Sequence, residues 1–179
     1  MKILKRILLF VVALVLIILI TALFVKKDMS ASRDIVINKP KTEVFNYIKY
    51  VKNQDNFSKW NLMDPAMKKT YIGTDGTVGF TYAWDSNNSD VGKGEQTIAA
   101  IKEGERVDAD LHFIKPFDSR AKTFMTTTAV NDSTTKVTWA FEGKMIYPLN
   151  IMGLFMNMEK AIGDDFSTGL TNLKAVLEK

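Results

Sequence analysis

Cysteine is absent from all 179 residues. That excludes disulfides, thiolate metal sites and cysteine nucleophiles. Histidine occurs once, at His112. A single imidazole cannot furnish a multi-histidine metal site. Proline (4) and glycine (10) are sparse, and no polyproline, collagen-like or low-complexity tract exists. The folded part also lacks any lysine or arginine run, the concentrated basic surface that displaces counterions from nucleic acid. Nucleic-acid binding is therefore not expected.

One long apolar run stands out. Ile7–Val25 is nineteen residues without charge, proline or glycine. At about 1.5 Å per residue such a helix spans roughly the 30 Å hydrocarbon core of a bilayer. Lys2, Lys5 and Arg6 precede it, and Lys26 and Lys27 follow. These five residues account for the chain's basicity. Residues 28–179 hold 19 basic and 20 acidic side chains, a net charge of −1. A secretory signal has a shorter apolar core, about 7–15 residues, and a small-residue cleavage site. Here the run ends in Val25-Lys26-Lys27-Asp28, so an uncleaved anchor is expected over residues 1–27. The heavier N-terminal basic flank favours a single-pass topology with the remainder outside the cytoplasm. A linker over 28–32 and one domain over 33–179 complete the expected organisation.

Periodicity divides that domain. Arg33–Asn38 reads as a strand, and Pro40 opens a helix carrying Val44, Phe45, Ile48 and Val51. A second helical piece spans Gln54–Trp60 and breaks at Asp64-Pro65. From Met67 the period becomes two. Strands are expected at Met67–Gly73, Val78–Trp84, Gly92–Lys102, Val107–Phe113, Ala121–Val130 and Thr135–Gly143, joined by short polar turns. Ile151, Phe155, Met158, Ile162, Phe166, Leu170, Leu173 and Leu177 then form one helical stripe, which must be buried against the dry face of the sheet. The expected class is α+β: a curved antiparallel sheet around a long C-terminal helix.

Several motifs share this layout. They are Ile37-Asn38-Lys39-Pro40-Lys41-Thr42-Glu43-Val44-Phe45; Trp60 with Asp64-Pro65-Ala66-Met67; Gly79–Trp84 with Val91-Gly92-Lys93-Gly94-Glu95; and Lys115-Pro116-Phe117 with Thr135–Trp139. Phe155–Gly163 with Phe166, Gly169-Leu170 and Leu173-Lys174 completes the set. From Arg33 to Lys179 the chain resembles the SRPBCC superfamily, the START-like helix-grip fold, and within it a bacterial polyketide cyclase/dehydrase-like subgroup. The resemblance implies an elongated apolar cavity between sheet and helix. Members of the superfamily bind lipids, sterols, polyketides and other hydrophobic molecules, and some are cyclases or hydrolases. It implies no catalytic residue, metal or cofactor here.

By alternation His112 lies on the outer face with Asp108 and Asp110, whose spread along a strand is too wide for one metal ion. The glycines of Gly73–Gly79 and Val91–Gly94 lack phosphate-loop spacing and read as turns. Asp85 and Asp90 belong to a polar loop. Aromatic rings and pliable thioethers suit a pocket for apolar molecules, although the same residues also serve as plain core. The expected lining is Tyr82, Trp84, Phe113, Trp139, Met152 and Phe155, with Tyr82 and Trp84 offering polar handles. The expected partners are a small hydrophobic or lipid-like molecule and, through residues 7–25, a membrane. Two alternatives stand beside this reading. One is an enzyme on a hydrophobic substrate, with Tyr82 and Glu95 as the acid/base candidates. The other is an interaction module with a filled core.

Overall fold

The computed structural model describes residues 2–179. Helix α1, Lys2–Phe24, is long and apolar enough to cross a membrane. Ala22 is its buried residue, and the apolar side chains of the run face outward. Strand β1 follows almost at once, Asp28–Ile37. The expected linker over 28–32 is thus corrected: these residues are the first half of an edge strand. They pair with β7 (Thr134–Lys144) in a continuous register from Asp28↔Lys144 to Ile37↔Thr135. Ser30, Ala31 and Ser32 carry little apolar alternation, so backbone pairing makes this part of the strand, and only Ala31 is buried in it.

Pro40 then sets the entry to α2, Lys41–Ile48, which buries Val44, Phe45 and Ile48. The second helical piece resolves into a 3-10 segment, Val51–Asn56, and a short helix α3, Lys59–Met63. Strands β2 (Lys68–Ile72), β3 (Thr81–Asp85), β4 (Lys93–Lys102), β5 (Arg106–Lys115) and β6 (Ser119–Asn131) lead to β7. The sheet has seven antiparallel strands in the order β1-β7-β6-β5-β4-β3-β2. A register shift at Ile98/Ala100 marks an irregularity between β4 and β5, the kind of feature that bends a sheet.

The final helix is shorter than the apolar stripe. A 3-10 segment, Leu149–Leu154, comes first, and α4 runs Met158–Leu177. The Asn157 side chain accepts the Lys160 N–H at 2.9 Å, an N-cap that starts the helix there. Ile151 and Phe155 are therefore outside α4, which corrects the expectation of one continuous helix. Phe166, Leu170, Leu173 and Leu177 do face the sheet and are buried.

The core divides in two. One cluster joins Ile37, Val44, Phe57, Val137, Trp139 and Phe166. The other joins Phe45, Val51, Met67, Phe80, Tyr82 and Ile98.

Candidate functional site

Residues of both clusters border a cavity of about 320 Å³. Its wall against α4 is aromatic. Trp139 stacks on Phe166 with centroids 4.7 Å apart, and Trp60 meets both edge-on at 6.3 and 5.9 Å. Gly169 makes this possible, because a Cβ there would sit 2.9 Å from the Trp139 ring. The opposite wall comes from β3, β4 and β5: Tyr82 stacks with Trp84 at 6.0 Å, and Trp84 meets Phe113 at 6.3 Å. Trp84 lies across β4 only because residue 94 is glycine. A Cβ at Gly94 would fall 2.7 Å from the Trp84 ring and 2.6 Å from the His112 carbonyl oxygen.

Polar groups punctuate this lining. Trp139 Nε1–H donates to Thr123 Oγ1 at 3.1 Å, and the Thr123 hydroxyl donates to the Ala140 carbonyl at 2.8 Å. Asn61 Nδ2 donates to Tyr82 Oη at 2.9 Å and to Asp55 Oδ1 at 2.6 Å. Lys69 completes the group with an ion pair to Asp55 at 2.9 Å. Burial, followed by the negative Asp55, pushes the Tyr82 phenol well above its ordinary pKa of 10.0. Tyr82 therefore stays neutral and works as a hydrogen-bonding group. Gln54 and Gln96 are 9% and 8% exposed, and both line the cavity. Among the described residues neither amide has a protein hydrogen-bond partner. Gln96 sits between Tyr82 and Leu111 in the sheet register.

The mouth is marked by the exposed lining residues Ser89, Asp90, Lys115, Pro116 and Phe117. Lys115 ends β5, and the others belong to the β3–β4 and β5–β6 loops. Strand pairing joins Asp28↔Lys144, Gly143↔Ala121, Phe113↔Ser119, Lys115↔Lys93 and Lys93↔Asp85 along one end of the sheet. The mouth loops are therefore at the end of the sheet where α1 enters β1.

Of the six residues expected to line the pocket, Tyr82, Trp84, Phe113 and Trp139 do so. Met152 and Phe155 do not. They lie in and just after the second 3-10 segment, 42% and 83% exposed, and Phe155 borders an open cleft beside α1. The reason is the break at Asn157, which turns the first part of the stripe away from the sheet. Tyr82 and Glu95 do not converge. Glu95 is on the outer face of β4, where Oε1 lies 3.2 Å from His112 Nδ1, and His112 Nε2 lies 3.2 Å from Asp118. Reading the sequence missed Gln54, Ser58, Trp60, Asn61, Gln96, Ile162 and Phe166 as lining residues. Gln96 alone left a signal: a polar residue at an inward position of β4, between Gly94 and Ile98.

A seven-stranded antiparallel sheet curved around a C-terminal helix, with a cavity between them, defines the helix-grip class, the fold of the SRPBCC and Bet v 1-like proteins. Solved structures agree with that assignment. A protein of unknown function from Staphylococcus aureus matches with a TM-score of 0.63 and 11% identity, covering 86% of this chain and 95% of its own. Norcoclaurine synthase from Thalictrum flavum, in a complex with a transition-state analogue, matches with a TM-score of 0.62 and 8% identity, covering 86% and 98%. Ara h 8.0201 matches with a TM-score of 0.58 and 13% identity, covering 84% and 98%. No family model and no curated protein matches the sequence.

Proposed function

We propose that the protein is a membrane-anchored binding domain that takes up a small hydrophobic or lipid-like molecule in the cavity between sheet and α4, without chemistry. One observation carries the reading: an aromatic hollow of about 320 Å³ lies inside the domain, with the nearly buried polar residues Gln54 and Gln96 in its lining. Ligand pockets run about 300–1,000 Å³ and combine apolar walls with a few polar groups. The volume suits one compact guest. Its apolar body would lie along Trp139, Phe166 and Trp84, and a polar end would meet Gln54, Gln96 or the Asn61–Tyr82 pair. A guest of about 20 heavy atoms at roughly 0.3 kcal/mol each gains about 6 kcal/mol, a Kd of tens of micromolar.

The anchor supports the same reading. Buried Ala22 and the hydrogen bonds from Asn150 to the end of α1 integrate the helix with the domain, as suits a helix that is retained. A tether raises the effective concentration of membrane-borne ligands at the mouth, and the positive-inside bias favours the extracytoplasmic side for the domain. Native mass spectrometry of protein extracted from its host membrane, followed by lipid extraction, tests the proposal. A bound mass of a few hundred daltons is expected. Protein that is empty and also fails to bind fluorescent fatty acids at concentrations several-fold above that Kd would refute it.

The subgroup resemblance also raises an enzymatic reading, polyketide cyclase-like or hydrolase-like. The geometry disfavours Tyr82 and Glu95 as an acid/base pair, since Glu95 faces outward and Tyr82 is held neutral.

A further inference from the structure

We propose that residues 145–156, between β7 and α4, are a second membrane-embedded element, seated in the interfacial layer of the leaflet through which α1 leaves the bilayer. The inference rests on the reading of α1 as a transmembrane anchor.

The outside of this segment is apolar. Ile146, Tyr147, Met152, Leu154, Phe155 and Met156 are all exposed, Phe155 to 83% and Leu154 to 57%. Such a patch on a domain surface marks an interaction site. Its partner follows from what the segment is fastened to. The Tyr147 hydroxyl donates to the Leu19 carbonyl at 3.2 Å. Asn150 Nδ2 donates to the carbonyls of Ala22 and Val25 at 2.7 and 3.0 Å. The Met145 N–H donates to the Lys27 carbonyl at 2.8 Å. The last carbonyls of a helix have no intrahelical partners, and leaving them bare in hydrocarbon costs several kcal/mol each. Asn150, fully buried, provides hydrogen bonds at that end of α1.

Depth follows from helix geometry. Leu19 precedes Val25 by six positions, so its carbonyl lies about 9 Å back from the end of the apolar run at 1.5 Å per residue. The Tyr147 hydroxyl bonded there reaches into the apolar run, while the bonds to Ala22, Val25 and Lys27 fasten the rest of the segment at the interfacial end of α1. Its backbone suits that medium: the N–H groups of Asn150, Ile151, Phe155 and Met156 all bond to carbonyls within the segment. Lys27 sits over the Tyr147 ring, 5.6 Å from its centroid, the pairing of cation and amphipathic ring found at membrane interfaces. Because Lys144 pairs with Asp28 at the mouth end of the sheet, embedding this segment points the cavity entrance at lipid.

The native absence of cysteine permits single labels on the full chain. Phe155→Cys, Met152→Cys, Leu14→Cys and Val130→Cys are each spin-labelled and reconstituted in phosphatidylcholine vesicles. Accessibility to oxygen and to a water-soluble nickel chelate is then measured by electron paramagnetic resonance. Leu14 reports the anchor, and Val130 the far end of the sheet. The expected result is an oxygen-to-nickel ratio at 155 and 152 several-fold above that at 130 and approaching that at 14. Nickel accessibility at 155 and 152 equal to that at 130, with Leu14 in lipid, overturns the inference while the anchor stands. Labels at 155 and 152 shielded from both reagents would indicate a protein partner or a second copy, and also overturn it. Leu14 in water would remove the anchor and the inference together.

Discussion

Leu111→Trp separates a hollow from a packed core by the sign of its effect. Leu111 is half-buried on β5, borders the cavity and pairs with Gln96. Into a filled core the larger ring is overpacked and costs about 1–3 kcal/mol. Into the open space beside Trp84 and Trp139 it buries about 60–80 Å² more apolar surface than leucine, worth roughly 1.5–2 kcal/mol at 25 cal/mol per Å². For a chain of this size that gain raises Tm by about 3–8 °C. The assay is thermal unfolding of the full chain in nanodiscs, followed by far-UV circular dichroism so that the added indole does not distort the signal. The same substitution fills the binding space, so affinity for a fluorescent hydrophobic probe should fall at least tenfold. A Tm lowered by several degrees with probe binding unchanged would refute the hollow.

Three further outcomes follow from the geometry. Gly94→Ala drives a Cβ into the His112 carbonyl and the Trp84 ring. Urea unfolding should show a loss of about 1–3 kcal/mol, and near-ultraviolet dichroism should report a moved tryptophan. The Tyr82 pKa is raised, so its proton is held more tightly in the folded state; the resulting stability is fully present below pH 10.0 and is lost as pH rises through the folded value. Alkaline titration of phenolate absorbance should therefore be superimposable for wild type and Tyr82→Phe until the protein unfolds. The Glu178 carboxyl is held below its ordinary 4.5 by the Asn38 backbone N–H and then by Lys174. Its contribution is present above pH 4.5 and disappears as pH falls through the lowered value, so Glu178→Gln should flatten the acid limb of the stability–pH curve.

What the sequence disclosed and what it hid follow from the range of the interactions. The apolar run of α1 and the change of period at Met67 are local patterns, and the meander and closing helix were legible from them. Residues 28–32 were not, because Ser30 and Ser32 have outward side chains too polar and small to signal a strand held by backbone pairing. The stripe from Ile151 to Leu177 hid a break, since spacing carries Phe155 forward while Asn157 caps a new helix. The strand side of the cavity was readable by alternation, through Tyr82, Trp84, Phe113 and Trp139. Its other side was not. Gln54, Ser58 and Asn61 meet Tyr82 and Gln96 only through tertiary packing, and no periodicity in either segment records that meeting.

The most direct test is an experimental structure of the full chain purified in native lipid. The account predicts non-protein density between Tyr82, Trp139 and Phe166, with a polar end within hydrogen-bond distance of Gln54 or Gln96. Indole rings collapsed into that space, or ordered water alone filling it, would contradict the account.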